Sequence, residues 1–134
     1  MSRAPLRVIV VDDHDLFRAG LAAILNTADG IEVVGQAAGG RRATILADEL
    51  APDVVLMDIN MPDMNGIDAT RDILRRHPDM AIAMLSMFAD AGAGARATAA
   101  GARGFLLKGA PREEILQLVR SIGDRDPAPE NPVT

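Results

Sequence analysis

Short apolar runs alternate with longer stretches of helical period along this chain, and that alternation is its strongest constraint. Leu6 to Val11 (LRVIVV) is an almost unbroken apolar run, as a strand buried on both faces requires. Leu16, Phe17, Leu21, Ile24 and Leu25 then recur at helical spacing, and Asp29-Gly30 signals a turn. Ile31 to Ala38 (IEVVGQAA) is strand-like again. Ala43, Leu46, Ala47 and Leu50 form a helical stripe that Pro52 stops. Val54 to Asp58 (VVLMD) is a third buried run, followed by the turn-rich INMPDMNG. Ile67, Thr70, Ile73 and Leu74 mark a helix that ends at His77-Pro78. Ala81 to Ser86 (AIAMLS) is a fourth run and Gly104 to Leu107 (GFLL) a short fifth. Pro111 suits the first turn of a last helix, whose stripe is Ile115, Leu118, Val119 and Ile122.

Five β-α units within 134 residues, 49% of them apolar, predict one α/β domain. The expected architecture is a doubly wound, five-stranded parallel sheet in the order 2-1-3-4-5, with right-handed crossovers. The domain is expected over residues 1–123. Residues 124–134 (DRDPAPENPVT) are Pro-rich, lack apolar periodicity and read as a linker or frayed tail.

Composition narrows the function. With no cysteine, disulfide scaffolds, thiolate metal sites and thiol nucleophiles are excluded. The 19 acidic against 14 basic residues give a net charge of -5, which disfavours duplex DNA as a direct ligand. Only 2% of residues are aromatic, too few for a base-stacking platform. No apolar run reaches the ~18 residues of a membrane span. The opening MSRAPLRV is unlike a secretory signal, so a cytoplasmic location is expected.

In this architecture ligands bind outside the carboxyl ends of the strands, where strands 1 and 3 diverge. Asp12 and Asp13 stand at the end of strand 1, Asp58 at the end of strand 3, Ser86 at the end of strand 4 and Lys108 at the end of strand 5. No Gly-rich phosphate loop follows strand 1, which disfavours dinucleotide and P-loop nucleotide binding. Two unit charges ~5 Å apart repel by about 3 kcal/mol at an effective dielectric near 20, so three carboxylates in one crevice tend to recruit a cation or a proton. An oxygen donor set favours Mg²⁺, with Mn²⁺ as an alternative, over zinc. Three carboxylates, one divalent cation and Lys108 sum to zero charge.

Such a site suits phosphoryl transfer. A carboxylate can act as nucleophile and become an aspartyl phosphate. The Lys108 ammonium and the Ser86 hydroxyl can then meet oxygens of the transferring group. Asp58 is the best candidate nucleophile, because it lies on the central strand.

The segments VVDDHDLFRAGL, DVVLMDINMPDMNGIDA, AIAMLSMF and GARGFLLKGAPREEI together resemble a bacterial two-component response-regulator receiver domain. The DDH opening and the KGA that replaces the more usual KP resemble the NarL/LuxR-type subfamily. The resemblance covers residues 6–122. It implies a flavodoxin-like receiver fold, with Asp58 as phosphoacceptor and Asp13 as a direct Mg²⁺ ligand. Asp12 would act through a metal-bound water and Asn60 would offer its backbone carbonyl. Ser86 and Lys108 would bind phosphoryl oxygens, and Phe105 would hold the switch-aromatic position. It further implies a sensor histidine kinase as partner and a dimer on phosphorylation. The face formed by helix 4, strand 5 and helix 5 would respond. DNA would be reached only through an output domain beyond residue 134. The module would not be a turnover enzyme; it would only phosphorylate and dephosphorylate itself. The Lys108–Gly109 peptide could be of either isomer.

Each residue also has a plainer reading. Asp12 and Asp13 could be helix caps, Asp58 a strand-end turn residue, Ser86 a loop hydroxyl and Lys108 a solvated lysine. His14 reads as an exposed helix-start residue and His77 as a helix end. Residues 89–102 hold eight Ala and three Gly with no large apolar anchor, so helix 4 is expected to be short, mobile or partly disordered. A haloacid-dehalogenase-type phosphatase also combines an aspartyl nucleophile with Mg²⁺, but it needs a DxD after the first strand and a cap domain. A pseudo-receiver that binds partners without phosphorylation is the other alternative.

Overall fold

The computed structural model describes residues 4–88 and 91–124. The elements alternate without exception: β1 (Leu6–Val11), α1 (Asp15–Asn26), β2 (Ile31–Ala37), α2 (Gly40–Leu50), β3 (Val54–Asp58), α3 (Gly66–Arg76), β4 (Ala81–Ser86), α4 (Ala91–Ala99), β5 (Gly104–Leu107) and α5 (Arg112–Gly123). The strands form one parallel sheet in the order β2-β1-β3-β4-β5. This is the doubly wound, flavodoxin-like order expected from the sequence. β2 stops at Ala37, one residue before the apolar run ends, and the Ala37 carbonyl accepts the Asp12 N–H at 3.0 Å.

Alternation along each strand divides the core into two layers. Ile9, Val11, Val55, Met57, Ile82 and Met84 face one side, against α2, α3 and α4. Val8, Val10, Val54, Leu56, Ala83 and Leu85 face the other, against α1 and α5. The three central strands are therefore covered on both faces, which is why their sequences read as continuous apolar runs rather than alternating ones.

No peptide bond among the described residues is cis, so Lys108–Gly109 is trans. The linker assignment for residues 125–134 and the start of the Ala/Gly-rich stretch, residues 89–90, lie outside the described residues. Within that stretch α4 spans nine residues, against 11 or 12 in the other four helices. Among residues 92–100 it buries Ala93 and Ala97 within the helix and Ala100 just beyond, all alanines. α5 by contrast buries Ile115, Leu116 and Val119. Burial of an alanine methyl contributes far less than burial of Leu or Ile. In native-state hydrogen exchange, the amides of residues 95–99 should therefore open at least about tenfold more readily than those of residues 116–122, a gap of ~1.4 kcal/mol. Equal protection in the two helices would show that α4 draws stability from something other than its own packing.

Candidate functional site

Parallel strands deliver their carboxyl ends to one edge of the sheet, and the residues just past those ends meet there. Asp12 directly follows β1 and is fully buried, while Asp13 beside it is half-buried. His14 is the N-cap residue of α1, with extended backbone and no side-chain cap bond. Asp12 Oδ1 accepts the His14 backbone N–H at 2.8 Å and lies 3.0 Å from His14 Nδ1. The Asp12 carboxylate is thus committed to the pocket rather than to capping the helix. Arg18, one turn along α1, donates from Nη1 to the Asp12 carbonyl at 2.7 Å and pairs with Asp15 at 2.8 Å.

Asp58 is the last residue of β3 and is only 2% exposed. Its Oδ1 accepts the Asn60 backbone N–H at 3.3 Å. The chain folds back so closely here that a Cβ on Gly66 would overlap the Asp58 carbonyl oxygen. Gly66 instead donates its N–H to the Ile59 carbonyl at 2.8 Å, which closes the loop onto α3.

Lys108 starts two strands away from β3, about 10 Å at the usual strand spacing. Its long stem crosses that gap. Nζ lies 2.8 Å from Asp12 Oδ2, 3.2 Å from Asp58 Oδ2 and 3.4 Å from His14 Nδ1. The ammonium also stands 5.2 Å from the centroid of the Phe17 ring, within cation–π range. Its backbone N–H holds the Ser86 carbonyl at 2.8 Å, which fixes the root of the side chain.

Among the described residues, three buried side-chain oxygens remain without a well-aligned hydrogen bond: Asp12 Oδ2, Asp13 Oδ1 and Asp58 Oδ2. The first and third face Lys108 as ion-pair partners, and Asp13 Oδ1 lies 3.4 Å from His14 Nδ1. Asp12, Asp13, His14 and Asp58 each present a donor atom, and these atoms lie within 4.8 Å of one another. Buried, under-satisfied carboxylate oxygens converging on one point fit a hard divalent cation such as Mg²⁺.

The electrostatics agree. Burial, reinforced by the neighbouring Asp12 charge, raises Asp58 to a pKa of about 6, although Lys108 partly offsets it. Burial pushes Asp12 up as well, but its bonds to Lys108 and His14 outweigh that and leave it below the usual aspartate range. Burial pulls Lys108 down, and its pairing with Asp12 and Asp58 more than restores it. Asp58 is the acid whose ionisation the site opposes, and a second cation would relieve that opposition.

The other sequence-predicted residues are placed with less convergence. Ser86 is buried at the end of β4, and its hydroxyl donates to the Phe88 carbonyl at 3.1 Å and accepts the Phe88 N–H at 3.3 Å. Phe105, on β5 beside Met84, is half-buried against the layer that contains α4. Asn60 is exposed beside Asp58. His77 caps the end of α3, as read from its proline, and its Nε2 lies 2.8 Å from Asp48. His14 is exposed at a helix start, as expected, but it is also a wall of the pocket. Its position directly after Asp12-Asp13 was the one available signal of this. Phe17 and Arg18 gave none, since both read simply as helix residues.

A doubly wound sheet of this strand order, with three acids and a lysine at its switch point, is of the flavodoxin-like class. The response regulator receiver domain family matches residues 8–120, and the chain belongs to that family. It is 44% identical over 117 residues to the response regulator GacA of Pseudomonas protegens. That match takes in 87% of this chain and 55% of GacA, so the chain spans about half the length of this curated relative. A two-component response regulator of the LuxR family from Aurantimonas sp. SI85-9A1 superposes with a TM-score of 0.85 at 32% identity, covering 90% of this chain and 86% of that one. A chain of the CheX–CheY–BeF3–Mg²⁺ complex from Borrelia burgdorferi superposes with a TM-score of 0.83 at 28% identity, covering 89% of this chain and 90% of that one. The chain is a receiver domain of the GacA/NarL type.

Asp58 binds its proton up to about pH 6 when folded and only to about 3.8 when unfolded. Between those values the folded state holds more protons, so Asp58 favours folding at low pH and withdraws that stability as pH rises through the window. Asp58→Asn removes the withdrawal. In metal-free buffer the variant should match wild type near pH 4 and exceed it by about 1–3 kcal/mol above pH 7. Urea unfolding followed by circular dichroism at a series of pH values measures this. A difference that is flat, or that shrinks as pH rises, would contradict the raised pKa.

Proposed function

We propose that this domain receives a phosphoryl group on Asp58, with Mg²⁺ bound beside it. The observation that carries the proposal is that Lys108 reaches ion-pair distance of both Asp12 and Asp58, while donor atoms of Asp12, Asp13, His14 and Asp58 lie within 4.8 Å of one another. Asp13 and Asp58 would hold the cation directly, Asp12 through water, and Asn60 through its backbone carbonyl. The bound cation would neutralise charge on the phosphoryl oxygens.

The chain's own residues do the rest. An Asp58 oxygen donates its electron pair to phosphorus as the bond between phosphorus and the donor group breaks, and that bond's electrons leave with the donor. The donor is the phosphohistidine of a sensor kinase, or acetyl phosphate in the test tube. Asp58 passes from about one negative charge to about two. Lys108, already 3.2 Å from Asp58, then has a stronger anion to pair with than Asp12. Ser86 exchanges its bonds to Phe88 for a phosphoryl oxygen, which moves the loop that leads to α4. Phe105, half-buried beside that helix, follows by a change of burial, since it has no hydroxyl to report by hydrogen bonding. The responding face is that of α4, β5 and α5.

We assign the domain to the cytoplasm, with dimerisation on phosphorylation and control of transcription through an attached DNA-binding domain. The GacA relatives, which extend well beyond the 55% of their length that is matched, and a relative named transcriptional regulatory protein DegU support that last assignment. No described helix is long and apolar enough to cross a membrane. Turnover belongs to its own phosphoryl group only.

Incubation with acetyl phosphate and Mg²⁺ should add one phosphoryl group by intact mass. Asp58→Asn or EDTA should reduce labelling to background. Stoichiometric labelling of the Asn variant would refute the assignment. Sustained turnover of p-nitrophenyl phosphate would favour a phosphatase instead.

A further inference from the structure

The N-terminus of α2 has no cap of its own. Its N-cap residue is Gly39, no side chain of that residue caps it, and its first turn contains no acid. It contains Arg41 and Arg42 instead, which add positive charge where the helix dipole is already positive. The cap comes from a different part of the chain. Asp63 Oδ1 accepts the Gly40 N–H at 3.1 Å, and Asp63 Oδ2 accepts the Arg41 N–H at 3.2 Å. Gly39 makes the space for it: a Cβ there would lie 2.6 Å from both carboxylate oxygens. The Asp63 carboxylate thus occupies the place that the side chain of an Asp or Ser at position 39 would fill.

Asp63 lies in the segment 59–65 that joins Asp58 to α3. This is the segment that carries Asn60. Its first turn is held by the Asn60 N–H on Asp58 Oδ1 at 3.3 Å, and its end by Gly66 N–H on the Ile59 carbonyl at 2.8 Å. Asp63 ties its middle to a helix that approaches from the other side of β1.

We propose that Asp63 is a positioning residue for the cation site: by capping α2 from across the loop, it fixes the segment that presents Asn60 beside Asp58. This rests on the reading that these residues hold Mg²⁺. It makes the affinity for the cation depend on α2, and it makes the N-terminal amides of α2 sensitive to the cation. Burial opposes ionisation of Asp63, but backbone N–H bonds, from Arg41 and Gly40 first and then from Met64 and Asp63 itself, outweigh it and hold its carboxyl below the usual range, so the tie persists at neutral pH.

The test is a Mg²⁺ titration of ¹⁵N-labelled protein, with no phosphoryl donor present. In wild type, the Asn60 amide and the Gly40 and Arg41 amides should shift together. In Asp63→Ala, the Mg²⁺ needed for half-saturation at Asn60 should rise by about threefold to tenfold, less than loss of a partner bonded directly to a ligand would produce. Thermal stability should fall as well, which a simple helix cap would also explain. The double variant Gly39→Ser, Asp63→Ala separates the two roles. Gly39 has extended backbone (φ -162°, ψ 167°), so Ser fits there and supplies a local cap in the vacated space. It should restore thermal stability without restoring Mg²⁺ affinity. Unchanged affinity in Asp63→Ala, or recovery of affinity together with stability in the double variant, would overturn the proposal and leave the cation site intact. A wild type whose Asn60 amide ignores Mg²⁺ would overturn the cation reading, and this inference with it. Should the alanine variant fail to fold, Asp63→Asn, which keeps one acceptor and loses the other, takes its place and should raise the half-saturating Mg²⁺ by a smaller factor; no rise would overturn the proposal.

Discussion

The Lys108 ammonium, lodged 2.8 Å from Asp12 and 3.2 Å from Asp58, is the interaction on which the acidic pocket depends. Without it, buried carboxylates would face one another across a few ångströms of low-dielectric interior. With it, the cluster still carries an excess of two negative charges when Asp12, Asp13 and Asp58 are all ionised. Burial first, and the neighbouring Asp12 charge second, raise the pKa of Asp58, and buried oxygens of Asp12, Asp13 and Asp58 lack a well-aligned hydrogen bond. The fold holds an electrostatic strain at the place where its chemistry is proposed, which is a common arrangement at functional sites.

Topology makes this convergence possible. The order β2-β1-β3-β4-β5 puts β1 next to β3, so Asp12 and Asp58 become neighbours although 46 positions separate them. Lys108, from the edge strand, reaches them because its stem is long and its root is pinned to Ser86. Gly66 lets the chain turn under the Asp58 carbonyl, where any side chain would collide. The opposite layers of apolar residues hold β1, β3 and β4 rigid, and the functional groups stand just past their ends rather than within the core.

Much of this was legible in the sequence, for identifiable reasons. The three central strands, buried on both faces, read as unbroken apolar runs, and the β-α alternation marks the two edge strands, so five strands, their order and the acidic residues at their ends could be placed. Lys108 could be read because it directly follows a strand. What could not be read depends on side chains meeting across space without a local pattern. Asp63 caps a helix that begins 23 residues before it, and only the bare Gly39 hinted that a cap was missing. Ser86 spends its hydroxyl on Phe88, a local bond that no spacing rule anticipates. Phe17 lies over the Lys108 ammonium although its spacing marks it only as part of a helical stripe. α4 is formed as a helix despite its glycines, because alanines at 93 and 97 still give it an inward face.

The central claim is that the carboxylates converge to hold a divalent cation. Crystals soaked in Mn²⁺ and measured for anomalous scattering test it without reference to phosphorylation. The account predicts a single strong peak in contact with the carboxylates of Asp13 and Asp58. A peak elsewhere on the surface, or none at a Mn²⁺ concentration that saturates related sites, would contradict it.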